Sequence, residues 1–192
     1  MTLIIYGNKK SENCSKVDYV ARYLKLDFEY KELDFEKDLK TQDYLKIHPA
    51  GKVPAVDDEG FVVFESNTIC RYLCEKVKSD LYPEDLKRRT LVNQWMDFTS
   101  TQVSEALGRI FFGKDEAVKE DGLKALTRFL PILERELEKH TYLVGESLTL
   151  ADIVLLASLR YLEYTKVILS EYPALEKWRK NMQTIPSFKE SE

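Results

Sequence analysis

The feature that most constrains the fold of this chain is a change of hydrophobic pattern near residue 80. Before that point, short apolar runs bounded by Gly, Asn or Pro recur, which is typical of buried strands. From Lys87 onward only helical spacing recurs. The pattern predicts an α/β domain over residues 1–78, a polar connection over 79–86, and an all-helical domain over 87–192.

Strand and helix patterns alternate within the predicted first domain. The expected strands cover 2–6, 28–33, 54–56 and 61–64. The expected helices cover 13–24, 38–47 and 66–77. The order is therefore βαβαββα, with residues 57–60 expected to form a hairpin turn.

Four helices are expected in the second domain. They cover 87–112, 116–139, 150–166 and 174–183. Pro131 falls inside the second of these, and we expect it to kink or restart that helix near Phe129.

Composition excludes several classes of function. The net charge is −4 and neither half holds an excess of Lys and Arg, so we expect no nucleic-acid partner. The longest apolar stretch, 153–159, is far shorter than the roughly 20 residues of a membrane helix. Three cysteines and no apolar leader after Met1 favour a cytoplasmic protein.

Two short segments of the first domain carry candidate binding residues. Pro54 begins a strand, where its missing N–H is tolerated. About one X–Pro bond in 20 is cis, so the pattern alone does not favour a cis bond at Pro54. Ser66 follows a strand and opens a helix, whose first N–H groups suit a carboxylate. The alternative is that Ser66 only caps this helix while Glu65 is solvated.

These segments resemble a known family. The strings Gly51-Lys52-Val53-Pro54 and Glu65-Ser66-Asn67-Thr68-Ile69, together with the order of elements, are similar to glutathione transferases over nearly the whole chain. The resemblance implies a thioredoxin-like glutathione-binding domain joined to a C-terminal helical bundle. It also implies glutathione as co-substrate and a hydrophobic electrophile as the second substrate.

The resemblance assigns roles to individual residues. It implies that Pro54 is cis, that the backbone of Val53 pairs with the cysteinyl part of glutathione, and that Glu65 and Ser66 hold the γ-glutamyl group. Lys52 would meet the glycyl carboxylate, although a lone turn lysine is more often solvated. The chemistry is consistent, because an α-carboxylate suits a helix N-terminus and an α-ammonium suits Glu65.

A separate signal lies in the helical domain. In Leu148-Thr149-Leu150-Ala151-Asp152-Ile153, Thr149 stands at an N-cap and Asp152 at the third helical position, as in a capping box. The stretch resembles the capping motif of the central helix in the same family. We therefore interpret Thr149 and Asp152 as structural, with loss of the cap expected to cost ~1 kcal/mol.

Three residues after the first strand are candidates to activate a thiol. A thiol near its usual pKa of about 8.5 is mostly protonated at neutral pH, so a hydroxyl that donates to sulfur favours the thiolate. Ser11 to Val17 resembles the serine-type members of the family (theta, delta and bacterial-like) rather than the tyrosine-type, which implies Ser11 as the catalytic residue. Alternatively Ser11 only caps the first helix, and Ser15 competes with it as the better cap.

The other candidates are Tyr6 and Cys14. Tyr6 resembles the tyrosine of tyrosine-type enzymes, and Cys14 lies about one turn beyond the expected site, where a buried thiol is the simpler interpretation. Cys70 and Cys74 lack further metal ligands, so they are expected in the core and no metal is predicted. His48 replaces the asparagine common in the family and could at most tune ligand binding.

Aromatic residues of the helical domain supply the candidate electrophile site. We expect most of them, such as Trp95 and Phe98, in the core, and select Phe111 and Phe112 as part of a substrate wall between the domains.

The sequence thus predicts a glutathione transferase that conjugates or reduces hydrophobic electrophiles, a detoxification activity. One alternative is a non-catalytic interaction module similar to the gamma subunit of translation elongation factor one B. The Val-Gly-Glu and Thr-Leu-Ala-Asp strings resemble that subunit too, although it carries a further C-terminal domain. Another is glutathione-dependent thiol exchange through Cys14. The family usually forms two-fold dimers, so the resemblance also implies a homodimer.

Overall fold

The computed structural model describes residues 3–165 and 167–189, without the side chain of Tyr164. The chain divides into two compact units between Ser79 and Asp80. The first unit contains a four-stranded sheet with helices, and the second is helical throughout its described residues. The predicted fold class is confirmed.

The first unit is built on a mixed sheet. Its strands are β1 (Leu3–Gly7), β2 (Phe28–Glu32), β3 (Ala55–Asp58) and β4 (Phe61–Phe64). They are arranged in the order β2-β1-β3-β4. β1 runs parallel to β2 and antiparallel to β3, which pairs antiparallel with β4. A helical crossover therefore joins β1 to β2, and a tight hairpin joins β3 to β4.

Three helices complete this unit. They are α1 (Glu12–Tyr23), α2 (Gln42–Ile47) and α3 (Ser66–Lys76). α1 and α3 pack against each other, with Val17 and Val20 on one side and Ile69 and Leu73 on the other, all fully buried. The expected helix over 38–47 is shorter in the structure, because Thr41 caps it by accepting a hydrogen bond from the Tyr44 N–H at 3.3 Å.

The β3–β4 hairpin turns on two residues rather than the four expected. Glu59 and Gly60 have φ angles of +58° and +91°, and two positive φ angles in succession are what a type I′ turn requires. Asp57 and Asp58, expected in the turn, belong to β3. A two-residue turn keeps Ala55 in register with Phe64, which sets where β4 ends.

The second unit consists of packed helices. They are α4 (Leu86–Phe98), α5 (Ser104–Phe112), α6 (Glu116–Leu137), α7 (Leu150–Ser158) and α8 (Pro173–Thr184). A π-helical turn, Thr99–Val103, divides the expected helix over 87–112 into α4 and α5. No helix within the described residues is both long and apolar enough to cross a membrane.

Of the two outcomes expected at Pro131, a restart is absent, because α6 runs through this residue, and a kink stays a prediction. α7 ends at Ser158 and is followed by a 3-10 segment, Leu159–Tyr164, whereas a helix over 150–166 was expected. The last residue of that expected helix, Lys166, lies outside the described residues.

α7 is the core of the second unit, and its start is held by one carboxylate. Asp152 is fully buried. Its Oδ2 accepts hydrogen bonds from the N–H and the hydroxyl of Thr149, both at 3.0 Å. Its Oδ1 accepts from the Leu143 N–H at 2.9 Å and from the Trp178 indole at 3.1 Å. The capping box expected from the sequence is present, and the same side chain also anchors a loop and α8.

Another buried carboxylate links α6 to α8. Tyr172, at the N-cap of α8, provides no capping side chain. Instead, Glu134 of α6 accepts hydrogen bonds from the N–H groups of Ala174 and Leu175, each at 2.9 Å. A carboxylate at a helix N-terminus accepts hydrogen bonds from the free N–H groups there and interacts favourably with the positive end of the helix dipole. α8 is thus capped by a residue 40 positions earlier in the chain.

Because Asp152 accepts four hydrogen bonds, we expect its removal to lower stability more than the loss of an N-cap alone would. Burial raises the pKa of Asp152 to about 6 against the effect of its donors, so the carboxylate is still largely ionised at neutral pH. Asp152→Ala leaves several buried donors unpaired, at about 1–3 kcal/mol each. We expect the free energy of unfolding to fall by about 3 kcal/mol or more, measured by urea denaturation followed by circular dichroism. A loss near 1 kcal/mol would mean that only the cap matters.

The matched control is Glu138→Ala. Glu138 is an exposed acid at the end of α6, and surface substitutions of this kind usually change stability by less than about 0.5 kcal/mol.

Candidate functional site

Three segments of the first unit converge at one edge of the sheet. Because β1 and β3 are antiparallel, the end of β1 lies beside the start of β3, with Tyr6 opposite Ala55. The hairpin then places Phe64, the last residue of β4, opposite Ala55 as well. The loop after β1, the segment before β3 and the junction between β4 and α3 therefore share this edge. It contains every predicted residue of glutathione binding and thiol activation.

Ser11 begins α1. Its N–H donates to the Asn8 carbonyl at 2.9 Å, and its Oγ lies 3.4 Å from the Cys14 N–H, at the N-cap position. Of the two candidate caps, Ser15 is excluded, because it is buried inside the helix and its hydroxyl donates to the Ser11 carbonyl. Ser11 is half-exposed, and its hydroxyl is held at the helix start beside the Cys14 side chain.

Cys14 is enclosed rather than presented. Its side chain is 1% exposed, and its sulfur accepts a hydrogen bond from the Asn8 N–H at 3.3 Å. Burial raises the pKa of the Cys14 thiol to about 11, so the thiolate is a minor species at neutral pH. Both properties oppose the role of an exchanging nucleophile.

Tyr6 belongs to β1 and is half-buried. Its ring lies 6.1 Å from the ring of Tyr44, and the Lys31 ammonium stands 5.4 Å above it. These contacts hold the ring against neighbouring side chains on the sheet. The contacts of Tyr6 are consistent both with a packing role and with a position beside a ligand.

The segment before β3 is fixed by a tyrosine that the sequence did not single out. The Tyr44 hydroxyl of α2 donates to the carbonyl of Lys52 at 2.6 Å, while the Lys52 side chain is exposed. The Val53–Pro54 peptide bond is cis. Gly51 has a φ of +58°, and a Cβ there would lie 2.7 Å from the Leu39 carbonyl oxygen, so only glycine fits.

The start of α3 differs in one respect from the expectation. Glu65, not Ser66, occupies the N-cap position, with a φ of +73° that few residues other than glycine adopt. The Glu65 side chain makes no capping hydrogen bond, and the first turn of α3 contains no acidic residue. The first N–H groups of α3 are therefore not capped by the Glu65 side chain, and the only acid at this helix start is Glu65 itself.

Ser66 and Asn13 connect α3 to α1. The Ser66 hydroxyl lies 3.1 Å from Oδ1 of Asn13, a residue 53 positions earlier. Asn13 is not among the predicted site residues, because nothing in the local pattern shows that its side chain contacts α3. The contact ties the two helix N-termini at this edge to each other.

His48 lies beneath the same junction. It is 3% exposed, and its ring packs 4.7 Å from the ring of Phe64. Burial lowers the pKa of His48, which keeps the imidazole neutral at neutral pH. The histidine thus supports the end of β4 without adding charge to the site.

Phe111 and Phe112 form an exposed aromatic cluster in the second unit. Their rings are 4.8 Å apart, and Phe111 stacks on Tyr161 at 4.9 Å. Phe112 is 67% exposed, whereas Trp95 is buried as expected for a core residue and Phe98 is half-buried. The second unit therefore has an exposed apolar surface at this cluster.

A metal centre finds no support in the part of the chain that the structure describes. No three His, Cys, Asp or Glu side chains there come close enough together to hold an ion. Cys70 and Cys74 are fully buried on α3, where burial raises the pKa of the Cys70 thiol to about 12.

Fold and site define a two-domain protein: a thioredoxin-like domain whose sheet edge carries two open helix starts, and a helical domain. Comparison with known families agrees. The model of the glutathione S-transferase N-terminal domain matches residues 1–75, and that of the C-terminal domain matches residues 91–186. The chain belongs to the glutathione S-transferase family.

Its relatives fall into two functional groups. "Elongation factor 1-gamma 3" of Oryza sativa subsp. japonica is 34% identical, over 98% of this chain and 48% of that protein. "Probable glutathione S-transferase GSTF2" of the same organism is 32% identical, over 95% of this chain and 92% of that protein. The chain spans about half the length of the elongation factors that it matches.

Solved structures show the same fold. Glutathione transferase F7 from Populus trichocarpa has a TM-score of 0.90 at 29% identity, covering 97% of this chain and 96% of that one. A theta class glutathione S-transferase from Xanthomonas axonopodis pv. citri, solved with glutathione bound, has a TM-score of 0.90 at 25% identity, covering 97% and 95%.

The burial of all three cysteines makes a direct prediction about thiol reactivity. Because Cys14, Cys70 and Cys74 are enclosed and their pKa values are raised, we expect none of them to react with a chromogenic disulfide reagent within minutes at neutral pH in the native protein. In guanidinium chloride all three should react. Rapid native labelling that disappears in Cys14→Ala would restore the exchange hypothesis.

Proposed function

We propose that this chain is a glutathione transferase of the serine type, in which Ser11 activates the thiol of bound glutathione. The observation that carries the proposal is the contrast between Ser11 and Cys14. The Ser11 hydroxyl is half-exposed at the start of α1, while the Cys14 sulfur is buried and its pKa is raised. Of these two groups, the hydroxyl is the one that a bound thiol can reach.

Glutathione would lie along the sheet edge described above. Its γ-glutamyl carboxylate would meet the N-terminus of α3 at Ser66, and its ammonium would meet Glu65. The backbone of Val53, which precedes the cis Pro54, would pair with the cysteinyl residue. Lys52 would face the glycyl carboxylate. The exposure of Glu65 and Lys52, and the absence of a side-chain capping hydrogen bond at the start of α3, support this placement.

The chemistry needs a thiolate and an electrophile. The Ser11 O–H would donate to sulfur and stabilise the negative charge, and the thiol proton would pass to solvent. The thiolate would then attack an electrophilic carbon, forming an S–C bond while the leaving group departs with its electron pair. Phe111 and Phe112 would contribute apolar surface for the electrophile, in conjugation or in glutathione-dependent reduction.

A second candidate function rests on the relatives. Two elongation factor 1-gamma proteins match nearly the whole of this chain at 34% identity, and a probable glutathione S-transferase matches it at 32%. A non-catalytic interaction module would keep the fold, including the capping box at Asp152, and would not need the Ser11 hydroxyl at sulfur. Glutathione binding and turnover separate the two candidates.

The test begins with glutathione affinity by calorimetry, followed by conjugation of a chlorinated nitrobenzene. We expect wild type to bind and turn over. Absence of binding would refute the proposal, and binding without turnover by wild type would favour the interaction module.

Ser11→Ala tests the activating role. A hydrogen bond to a charged group contributes about 1.5–3 kcal/mol, so the loss of one predicts a fall in kcat/KM of about 10- to 150-fold. Glutathione affinity should change little, and the pH dependence of kcat/KM should move toward higher pH, because the unassisted thiol needs more alkaline solution to ionise. Ser11→Thr, which keeps the hydroxyl, should restore most of the rate.

The control for Ser11→Ala addresses its capping role. Asp85 caps α4 by accepting a hydrogen bond from the Arg88 N–H at 2.8 Å. Asp85→Ala should therefore lose about as much stability, ~1 kcal/mol, and keep its turnover rate. An equal fall in rate in both variants would show that Ser11 acts through folding alone.

We also propose that the protein is a cytoplasmic homodimer with a role in detoxification. Support for a partner surface comes from β4, an edge strand on which Phe61 is 57% and Phe64 is 42% exposed. Three free cysteines fit a reducing compartment.

Phe61→Glu tests the dimer. A charge on an apolar interface is costly to bury, so we expect the molar mass in solution, from light scattering, to fall from two chains to one. Phe35→Glu is the matched control, since Phe35 is also exposed, at 45%, but lies outside β4. A wild-type chain that is already monomeric would refute the dimer.

A further inference from the structure

Lys16 is buried in a way that glutathione binding, as proposed above, does not explain. It lies on α1 beside Val17, with 1% of its surface exposed. Lysines are almost never fully buried unless their ammonium group is paired. Burial lowers the pKa of Lys16, while the nearby carboxylate of Glu12 acts in the opposite direction. Because burying a lysine costs free energy, we expect the Lys16 amine to make a specific contact.

That contact is with Asn13. Nζ of Lys16 donates to Oδ1 of Asn13 at 2.8 Å, and the Glu12 carboxylate lies farther away, at 4.0 Å. Nζ of Lys16 carries hydrogens to donate, and the oxygen is the end of an amide that accepts them. The end of the Asn13 amide that faces Lys16 must therefore be its oxygen, and the lysine fixes the orientation of that amide.

The same oxygen receives Ser66. The Ser66 hydroxyl lies 3.1 Å from Oδ1 of Asn13 and must be the donor, because the amide oxygen has no proton. A chain of two hydrogen bonds thus runs from Lys16 through Asn13 to the first residue of α3. It holds the N-terminus of α3 against α1 and links the buried Lys16 amine to the first residue of that helix.

We propose that Lys16 is a positioning residue of the glutathione site, acting through Asn13 on Ser66 so that the start of α3 is fixed to receive the α-carboxylate of the γ-glutamyl group. This inference rests on the proposed function. Its physical basis is preorganisation, because a helix start already held in place loses less freedom when the carboxylate binds.

Lys16→Met removes the ammonium and keeps a long apolar side chain of similar length. We expect the glutathione Kd and KM to rise about tenfold or more, as for loss of a charge-assisted interaction. The kcat at saturating glutathione should stay within about twofold, because Lys16 acts on the γ-glutamyl end and not on sulfur. Lys40→Met is the matched control, since it removes one exposed positive charge from the same unit and should leave both constants unchanged.

A pair of glutathione analogues locates the effect. In the first, the α-carboxylate of the γ-glutamyl group is replaced by hydrogen; in the second, the α-amino group is removed and the carboxylate is kept. The penalty of Lys16→Met should disappear with the first analogue and persist with the second. A general loss of structure would give the same penalty with both.

Asn13→Ala tests the chain of hydrogen bonds from Lys16 to Ser66. It also tests the proposal if Lys16→Met fails to fold. It should raise the glutathione Kd to a similar degree, with the penalty again confined to ligands that carry the carboxylate. In the double variant the two effects should not add, because both break the same chain of hydrogen bonds.

The outcomes separate the inference from the proposed function. If wild type does not bind glutathione, the proposed function fails and this inference fails with it. If wild type binds and either folded variant binds within about twofold of wild type, or loses affinity for the decarboxylated analogue to the same extent, the inference alone is overturned.

Discussion

The candidate site depends first on the antiparallel pairing of β1 with β3. A parallel pairing would place the start of β3 at the opposite end of β1 from Ser11, and the predicted binding residues would be separated by the length of a strand. The antiparallel register sets Tyr6 against Ala55, and the two-residue turn after β3 returns the chain so that Glu65 follows at the same edge. Backbone hydrogen bonds thus bring together three segments that are distant in sequence.

Electrostatics at that edge then follow from helix direction. α1 and α3 both begin there, so two N-termini with partial positive charge lie close together, joined through Asn13 and Ser66. Two like-signed helix ends repel weakly and favour an anion between or before them. The sheet edge is therefore suited to carboxylate and thiolate before any single side chain is considered.

Sequence patterns predicted the elements and the fold, and they were least reliable at helix starts. Ser15 with an acid three residues later is a good local cap signal, yet Ser11 begins the helix, because the turn from Asn8 and the Cys14 N–H determine where the chain enters α1. The burial of Lys16 could not be predicted, since a lysine beside apolar positions normally reaches solvent. Its partner network includes Ser66, 53 residues beyond Asn13, and no local pattern reports such a contact.

The division between enzymes and elongation factors among the relatives is consistent with how the molecule is built. The second unit is held together in part by the buried carboxylates of Asp152 and Glu134, which have no role in the proposed chemistry and are compatible with either function. Catalysis asks for one further property, a hydroxyl that is held by its helix and still open at the sheet edge. The capping hydrogen bond of Ser11 uses a lone pair of its oxygen, so the O–H proton is not consumed by the cap, and the Cys14 thiol lies within hydrogen-bonding reach of the same side chain. A capping role does not by itself exclude the proposed activating role of Ser11.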